Sequence, residues 1–206
     1  VGNTLASLPD GDFVITQDTS IGRAACGDGE PRAIEEGTEN WDVLVDGDEV
    51  LVLDRIGGDE PNWGEMRRYD ADLEPIGEPA PTGKNSGYGG IDGELVWMNS
   101  EGSSDLWAVH ADTGDLIHRV QTGLHVESLA ADPANPGRVY ASGRLSDLLM
   151  WVDMGTGESV HADIDFHWPV VPTVADDKLW VLDQLDADLH ALDLDTLDDI
   201  LQLGWL

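Results

Sequence analysis

Apolar positions in this chain come in short runs and never in the three-to-four spacing that stacks side chains along one face of a helix. Within residues 84–123 the runs are Gly87 to Ile91, Glu94 to Asn99, Asp105 to Ala111 and Leu116 to Gln121. Between them lie Asp92-Gly93, Ser100 to Ser104 and Asp112-Thr113-Gly114-Asp115. Asp-Gly and Thr-Gly pairs supply the positive φ that tight hairpin turns require. The pattern predicts four short strands joined by hairpins. It recurs at the start of the chain, as Thr4 to Leu8, Asp12 to Gln17, Ile21 to Cys26 and Pro31 to Glu35. It recurs again at the end, as Val170 to Ala175, Lys178 to Asp183, Asp188 to Leu194 and Asp199 to Trp205.

These sets are copies of one repeat. Leu106-Trp-Ala-Val-His-Ala-Asp-Thr-Gly114, Leu149-Met-Trp-Val-Asp-Met-Gly-Thr-Gly157 and Leu189-His-Ala-Leu-Asp-Leu-Asp-Thr-Leu197 share one plan, with weaker copies at Arg68 to Pro75 and Ala24 to Pro31. Aligning them puts Cys26, Asp70, His110, Asp153 and Asp193 at one position, with a period of roughly 40 residues, the length of a four-stranded propeller blade. The expected fold is all-β, a β-propeller of five four-stranded blades near residues 1–37, 38–83, 84–123, 124–164 and 165–206, in one domain over 1–206. A closed five-bladed ring is the favoured form. The alternative, five consecutive blades of a larger ring, would leave two apolar sheet faces open.

The anchor segments resemble the repeat of the quinoprotein (PQQ-like) β-propeller superfamily, Ala-x-Asp-x-x-Thr-Gly-x-x-x-Trp, which is related in build to WD40 and YVTN-like blades. Residues 108–118 match at Ala108, Thr113 and Gly114, with His110 in place of Asp and His118 in place of Trp. Residues 191–201 keep Ala191, Asp193 and Thr196, and residues 151–161 keep Asp153, Thr156 and Gly157 but end in His161. The docking tryptophan is absent from all of these segments. The resemblance therefore implies the non-catalytic branch of the superfamily, with no cofactor and no PQQ expected.

Charge narrows the setting. Forty-two acidic residues against ten basic give −32, which disfavours nucleic acid, whose phosphates need a basic footprint, and an anionic membrane surface. Eight tryptophans and 41% hydrophobic content argue for a packed core rather than disorder. Eight Arg accompany only Lys84 and Lys178, and Asp outnumbers Glu 29 to 13. Such a halophile-like acidic composition is expected where salt screens self-repulsion. With Val1 as first residue, the expected location is extracellular or at the cell surface after removal of a leader; the alternative is the cytoplasm of a halophile. No apolar run is long enough for a membrane span. The single cysteine, Cys26, excludes an intrachain disulfide and reads as a small buried hydrophobe.

Candidate chemistry gathers in the connections from each outermost strand to the next innermost one. Asn40 and Trp41, Tyr88, His125 and Glu127, and His167 and Trp168 recur there, either as caps on blade packing or as a platform for a peptide, protein or glycan. His161-x-Asp163-x-Asp165-x-His167 would lie on one face if extended and carries transition-metal ligand types. Its ends would then be ~20 Å apart, so an ion would need help from another strand. Acids between Asp183 and Asp199 offer calcium a place without the EF-hand spacing. Glu39, Glu127 and Asp165 sit where a five-bladed glycosidase carries its acids, but no nucleophile elbow, phosphate loop, zincin or dinucleotide motif is present. The expected function is a non-catalytic binding or scaffold module. An enzyme on a propeller scaffold (carbohydrate hydrolase or lyase, or degenerate quinoprotein dehydrogenase) and a structural subunit of a cell-surface assembly are the alternatives.

Overall fold

The computed structural model describes residues 3–25, 32–35, 39–56, 63–122 and 125–204. Cys26, Pro31 and Trp205, which the strand assignments above include, lie outside them. The described residues form five four-stranded antiparallel sheets, each a meander in chain order. The first contains β1 Asn3–Ser7, β2 Phe13–Gln17, β3 Ser20–Ala24 and β4 Arg32–Glu35. The second contains β5 Asn40–Asp46, β6 Glu49–Asp54, β7 Trp63–Asp70 and β8 Ala80–Lys84. In the third are β9 Ser86–Asp92, β10 Leu95–Ser100, β11 Asp105–His110 and β12 Leu116–Gln121. The fourth holds β13 Ser128–Ala131, β14 Arg138–Gly143, β15 Leu148–Asp153 and β16 Ser159–His161, with a 3-10 turn at Arg144–Ser146. The fifth holds β17 Pro169–Ala175, β18 Lys178–Asp183, β19 Asp188–Leu192 and β20 Asp199–Gly204.

First strands of successive sheets meet one another, β1 with β5, β5 with β9, β9 with β13 and β13 with β17, so they are the innermost. Sandwiching explains why the second strands of the three middle blades, β6, β10 and β14, read as continuous apolar runs rather than alternating ones: both faces are buried. In β6, Val50 and Val52 pack back onto Val14 and Ile21 of the first blade, while Leu51 and Leu53 pack forward onto Val96 and Met98 of the third. Trp97 and Leu106 then face Val139 and Met150, and Tyr140 and Trp151 face Leu179 and Val181. The core is thus four apolar layers, one between each pair of neighbouring blades.

The scarce arginines bridge these layers at the rim. Every arginine whose side chain is described pairs with a carboxylate. Most reach forward by one blade, Arg23 to Ala71 O, Arg32 to Glu74, Arg55 to Glu101, Arg68 to Asp112 O and Arg138 to Asp195. Each clasp lies between two acidic sheets, which is where a cation lowers mutual repulsion most.

Of the two forms of the expected fold, the sheet contacts among the described residues match five consecutive blades and not the closed ring. Among the described residues the fifth blade has no extended packing against the first, and both end faces stay open. Leu5 and Ile15 on the back of the first blade are 60% and 37% exposed, whereas Val52, Met98, Ala141 and Val181, which match Ile15 in later blades, are 0% exposed. A sequence period counts blades but carries no information on the angle between them. That angle depends on how far the side chains in each layer hold the sheets apart.

Candidate functional site

Connections between blades and the turns between second and third strands emerge at one edge of the sheets and are laced together. The backbone N–H of Asn40 donates to Asp18 O, Arg55 to Glu39 O, Gly102 to Lys84 O, Glu127 to Ser142 O and Gln184 to Trp168 O. Left-handed backbone recurs along this edge at Asn85 (φ 50), His125 (φ 53) and Trp168 (φ 71). Each lies just before or at the entry to an innermost strand. Two buried aspartates that end second strands hold the loops from below. Asp54 accepts the N–H groups of Glu39 and Ile56, and Asp183 accepts that of His167 at 2.6 Å. The sequence reading took Asp183 only as one of the acids open to calcium and did not name Asp54, although Leu-Val-Leu-Asp54 and Trp-Val-Leu-Asp183 end alike.

The best-organised cluster on this edge spans the second and third blades. Trp41 lies edge-on to Tyr88, with ring centroids 6.1 Å apart, and Arg55 stacks over the Trp41 ring at 4.3 Å. Arg55 also pairs with Glu101 at 2.5 Å. Trp41 can sit this deep because β9 offers it Gly87, where a Cβ would come 2.9 Å from Cδ1 of the indole. Asn40 is fully buried and donates its backbone N–H to Asp18 O in the first blade. Tyr88 is the outward member, 37% exposed.

Burial pushes the Glu101 carboxyl above its ordinary range. Arg55 and His125 pull it down, while Glu127 and Glu39 push it further up. Glu101 therefore feels the charge of two further carboxylates besides the guanidinium it pairs with. Asn99 joins the parts, accepting the Gly87 N–H and donating to Val126 O in the following loop. So Asn40, Trp41, Tyr88, His125 and Glu127 are brought into one region, with Arg55, Glu101 and Asn99 as members that sequence reasoning did not name.

His167 and Trp168 lie further round the edge. Trp168 donates its N–H to Asp147 at 3.2 Å and its carbonyl accepts Gln184. The His161 to His167 segment is not one extended strand, because β16 ends at His161 and a loop carries exposed Asp163 and Asp165 onward. Among the described residues, His167 instead meets Asp183 and Asp186, the one group of three with donor atoms within 4.8 Å of one another. Hydrogen bonding to Asp186 at 2.8 Å, with the charge of that aspartate, holds the His167 pKa above its ordinary value. The acids between Asp183 and Asp199 are spread over β18 to β20. Asp188 accepts Gln202, Asp195 takes Arg138 and Asp199 meets His190.

The recurrent aspartate of the repeat has a structural task. Asp153 Oδ1 accepts the N–H groups of Gly155 and Thr156 and the Thr156 hydroxyl, and Asp193 Oδ1 does the same for Asp195 and Thr196. Those bonds favour the charged form and hold both carboxyls below their ordinary pKa. His110 substitutes for Asp with Nδ1, which accepts the Asp112 N–H at 3.1 Å. Two wide clefts open at the opposite edge of the sheets. One of about 460 Å³ lies between the turns at 76–81 and 112–116, and one of about 540 Å³ lies between 92–95 and 136–155.

Five meandering four-stranded sheets around a set of innermost strands define a β-propeller. Comparison with solved structures agrees, with TM-scores of 0.79 to the WD40 repeats of RRP9, 0.78 to the dihydro-heme d1 dehydrogenase NirN and 0.68 to a chain of a nidogen/laminin complex. Identities are 11%, 12% and 15%, so the likeness is one of fold. The alignments take in 98–99% of this chain and 64%, 47% and 79% of the others. No family model matches the chain, and no curated protein does. No helix among the described residues is long and apolar enough to cross a membrane.

Proposed function

We propose that this propeller is a non-catalytic binding module that receives a protein partner on the edge built around Tyr88, Trp41, Arg55 and Glu101. The observation that carries the reading is the composition of that cluster. A partly exposed aromatic ring packs edge-on against Trp41, beside an Arg55–Glu101 ion pair on whose carboxylate Glu127 and Glu39 also act. Rigid aromatics give contact area at little entropic cost, and surplus negative charge favours a cationic partner group that relieves the crowding at Glu101. A lysine- or arginine-bearing segment laid beside Tyr88 meets both demands. The wide clefts lie at the other edge, which favours an extended protein surface over an enclosed small ligand here. Propellers similar in fold occur in a nidogen/laminin complex and a mitotic checkpoint complex, which supports a protein partner over a glycan. The PQQ-like repeat without docking tryptophans and the halophile-like acidic coat belong to the same reading, for a protein working in salt or outside the cell. The coat carries solvation and leaves recognition to the few built sites.

The test is a panel of peptides and glycans presented to the protein and to Tyr88→Ala and Glu127→Gln. Retention of basic peptides, reduced at least fivefold by each substitution and by added salt, is the expected result. Glycan binding indifferent to both substitutions overturns the proposal.

A further inference from the structure

The two open end faces are opposite halves of one interface. At each internal junction the forward face of one blade covers the backward face of the next, so the first blade is left with a spare backward face and the fifth with a spare forward face. On the fifth blade the spare face is built by register. Trp180 pairs with Ala191 and then Leu201, and Leu182 pairs with Leu189 and then Leu203. Trp180 repeats the position of Trp97, which pairs with Ala108 in the third blade and is only 3% exposed under the fourth. Leu201 and Leu203 are 44% and 46% exposed. On the first blade Leu5 pairs with Ile15 and then Gly22, and Ser7 pairs with Phe13 and then Ala24. None of these residues is acidic, in a chain where 42 of 206 are.

We infer that the occupant of each end face is a second copy of this chain, docked head to tail. The forward face of the fifth blade in one copy covers the backward face of the first blade in the next. The contact continues the interface already made four times within the chain, with Trp180 taking the burial that Trp97 has. Such a contact is heterologous, because different patches of the two copies meet, so it closes into a ring or propagates according to the angle it imposes. Copies at −32 each repel, and association is therefore strengthened by salt that screens the acidic rims but leaves the apolar faces untouched.

The polarity of the contact gives a direct test. Leu5→Asp with Ile15→Asp disables the backward face, and Leu201→Asp with Leu203→Asp disables the forward face. All four positions are solvent-exposed, so each double variant is expected to keep the cooperative melting and near-ultraviolet circular dichroism of the parent. In molar KCl, sedimentation velocity is expected to show the parent associating with rising concentration and each variant alone as a monomer. An equimolar mixture of the two variants is expected to give a one-to-one dimer and nothing larger, because each contributes one intact half. Hydrogen exchange on the parent provides a check without any substitution, with at least tenfold slower exchange on concentration confined to 3–17 and 178–204. A parent that stays monomeric in molar salt overturns the inference and assigns the faces to other blades. Self-association of either variant alone, or failure of folded variants to pair, overturns it as well.

Discussion

The indole of Trp41 and the α-carbon of Gly87 are in direct contact across the junction between the second and third blades. A Cβ on Gly87 would lie 2.9 Å from Cδ1 and 3.0 Å from Nε1 of Trp41. Both edges of that contact are fixed, since Arg55 stacks on the ring and Asn99 holds the Gly87 N–H. Gly87→Ala is therefore expected to destabilise by about 1–3 kcal/mol, as overpacking does, and to change tryptophan fluorescence. Urea unfolding gives the first and an emission spectrum the second. An unchanged midpoint would sink the packing account of Trp41.

Turn capping by the recurrent aspartate predicts a graded series. Asp153→Ala removes the acceptor for two N–H groups and one hydroxyl, and about 1 kcal/mol of stability is expected to go with it. His110→Asp restores the residue that three of the other repeats use, and is expected to raise stability by about 0.5 kcal/mol. Thermal melts of the two variants should move in opposite directions.

Strands, turns and repeat were legible in the sequence because they depend on local pattern. β12 and β18 lie at the residues the apolar runs indicate, and Asp153 and Asp193 occupy their turns as the alignment requires. Relations across blades were not legible. Nothing local to Trp41 marks Gly87 as its seat 46 positions on, or Glu101 as the partner of Arg55. His161 and His167 share a spacing that suits one strand, yet the chain leaves the sheet at His161. The Thr-Gly pattern showed Leu197 in place of Gly but not what it does there. Leu197 adopts φ 61 at the place where Gly114 and Gly157 have φ 71 and 76, because its buried side chain fills the layer between the fourth and fifth blades.

Leu197 thus sets two effects against each other. A left-handed leucine costs about 1–2 kcal/mol, and losing a buried leucine side chain costs about 2–5 kcal/mol. Packing outweighs backbone strain, so Leu197→Gly is expected to lower stability by about 1–3 kcal/mol despite relieving the strain. A chemical-denaturation midpoint at or above that of the parent would show the order to be wrong.

Acid and base should act on different parts of the molecule. Asp153 and Asp193 have folded pKa values below their unfolded ones, so their contribution is present above the ordinary carboxylate range and is lost as pH falls through the depressed values. His167 runs the other way. Its folded pKa is raised by Asp186, so its contribution is complete below the ordinary imidazole value near 6.5 and fades as pH rises through the raised one. Imidazole resonances followed by NMR are expected to show His167 titrating above that value, and returning toward it in Asp186→Asn. No change in Asp186→Asn removes the pairing as the cause.

Salt should matter more than any single residue. At −32 over 206 residues the folded chain brings like charges together that the unfolded chain keeps apart, and the arginine clasps offset that only at particular junctions. Screening at molar salt shortens the Debye length to about 3 Å, which removes rim-to-rim repulsion. It also weakens exposed clasps, but each of those contributes only about 0–1 kcal/mol. Repulsion relieved exceeds attraction lost, so the urea midpoint is expected to rise from low to molar KCl. Arg138→Gln separates the two terms. It removes the ion pair with Asp195 and the stacking on Trp151, so it should cost more at low salt than at molar salt. A midpoint that is flat or falling across the series would show that the clasps outweigh the repulsion and that the acidic coat has another cause.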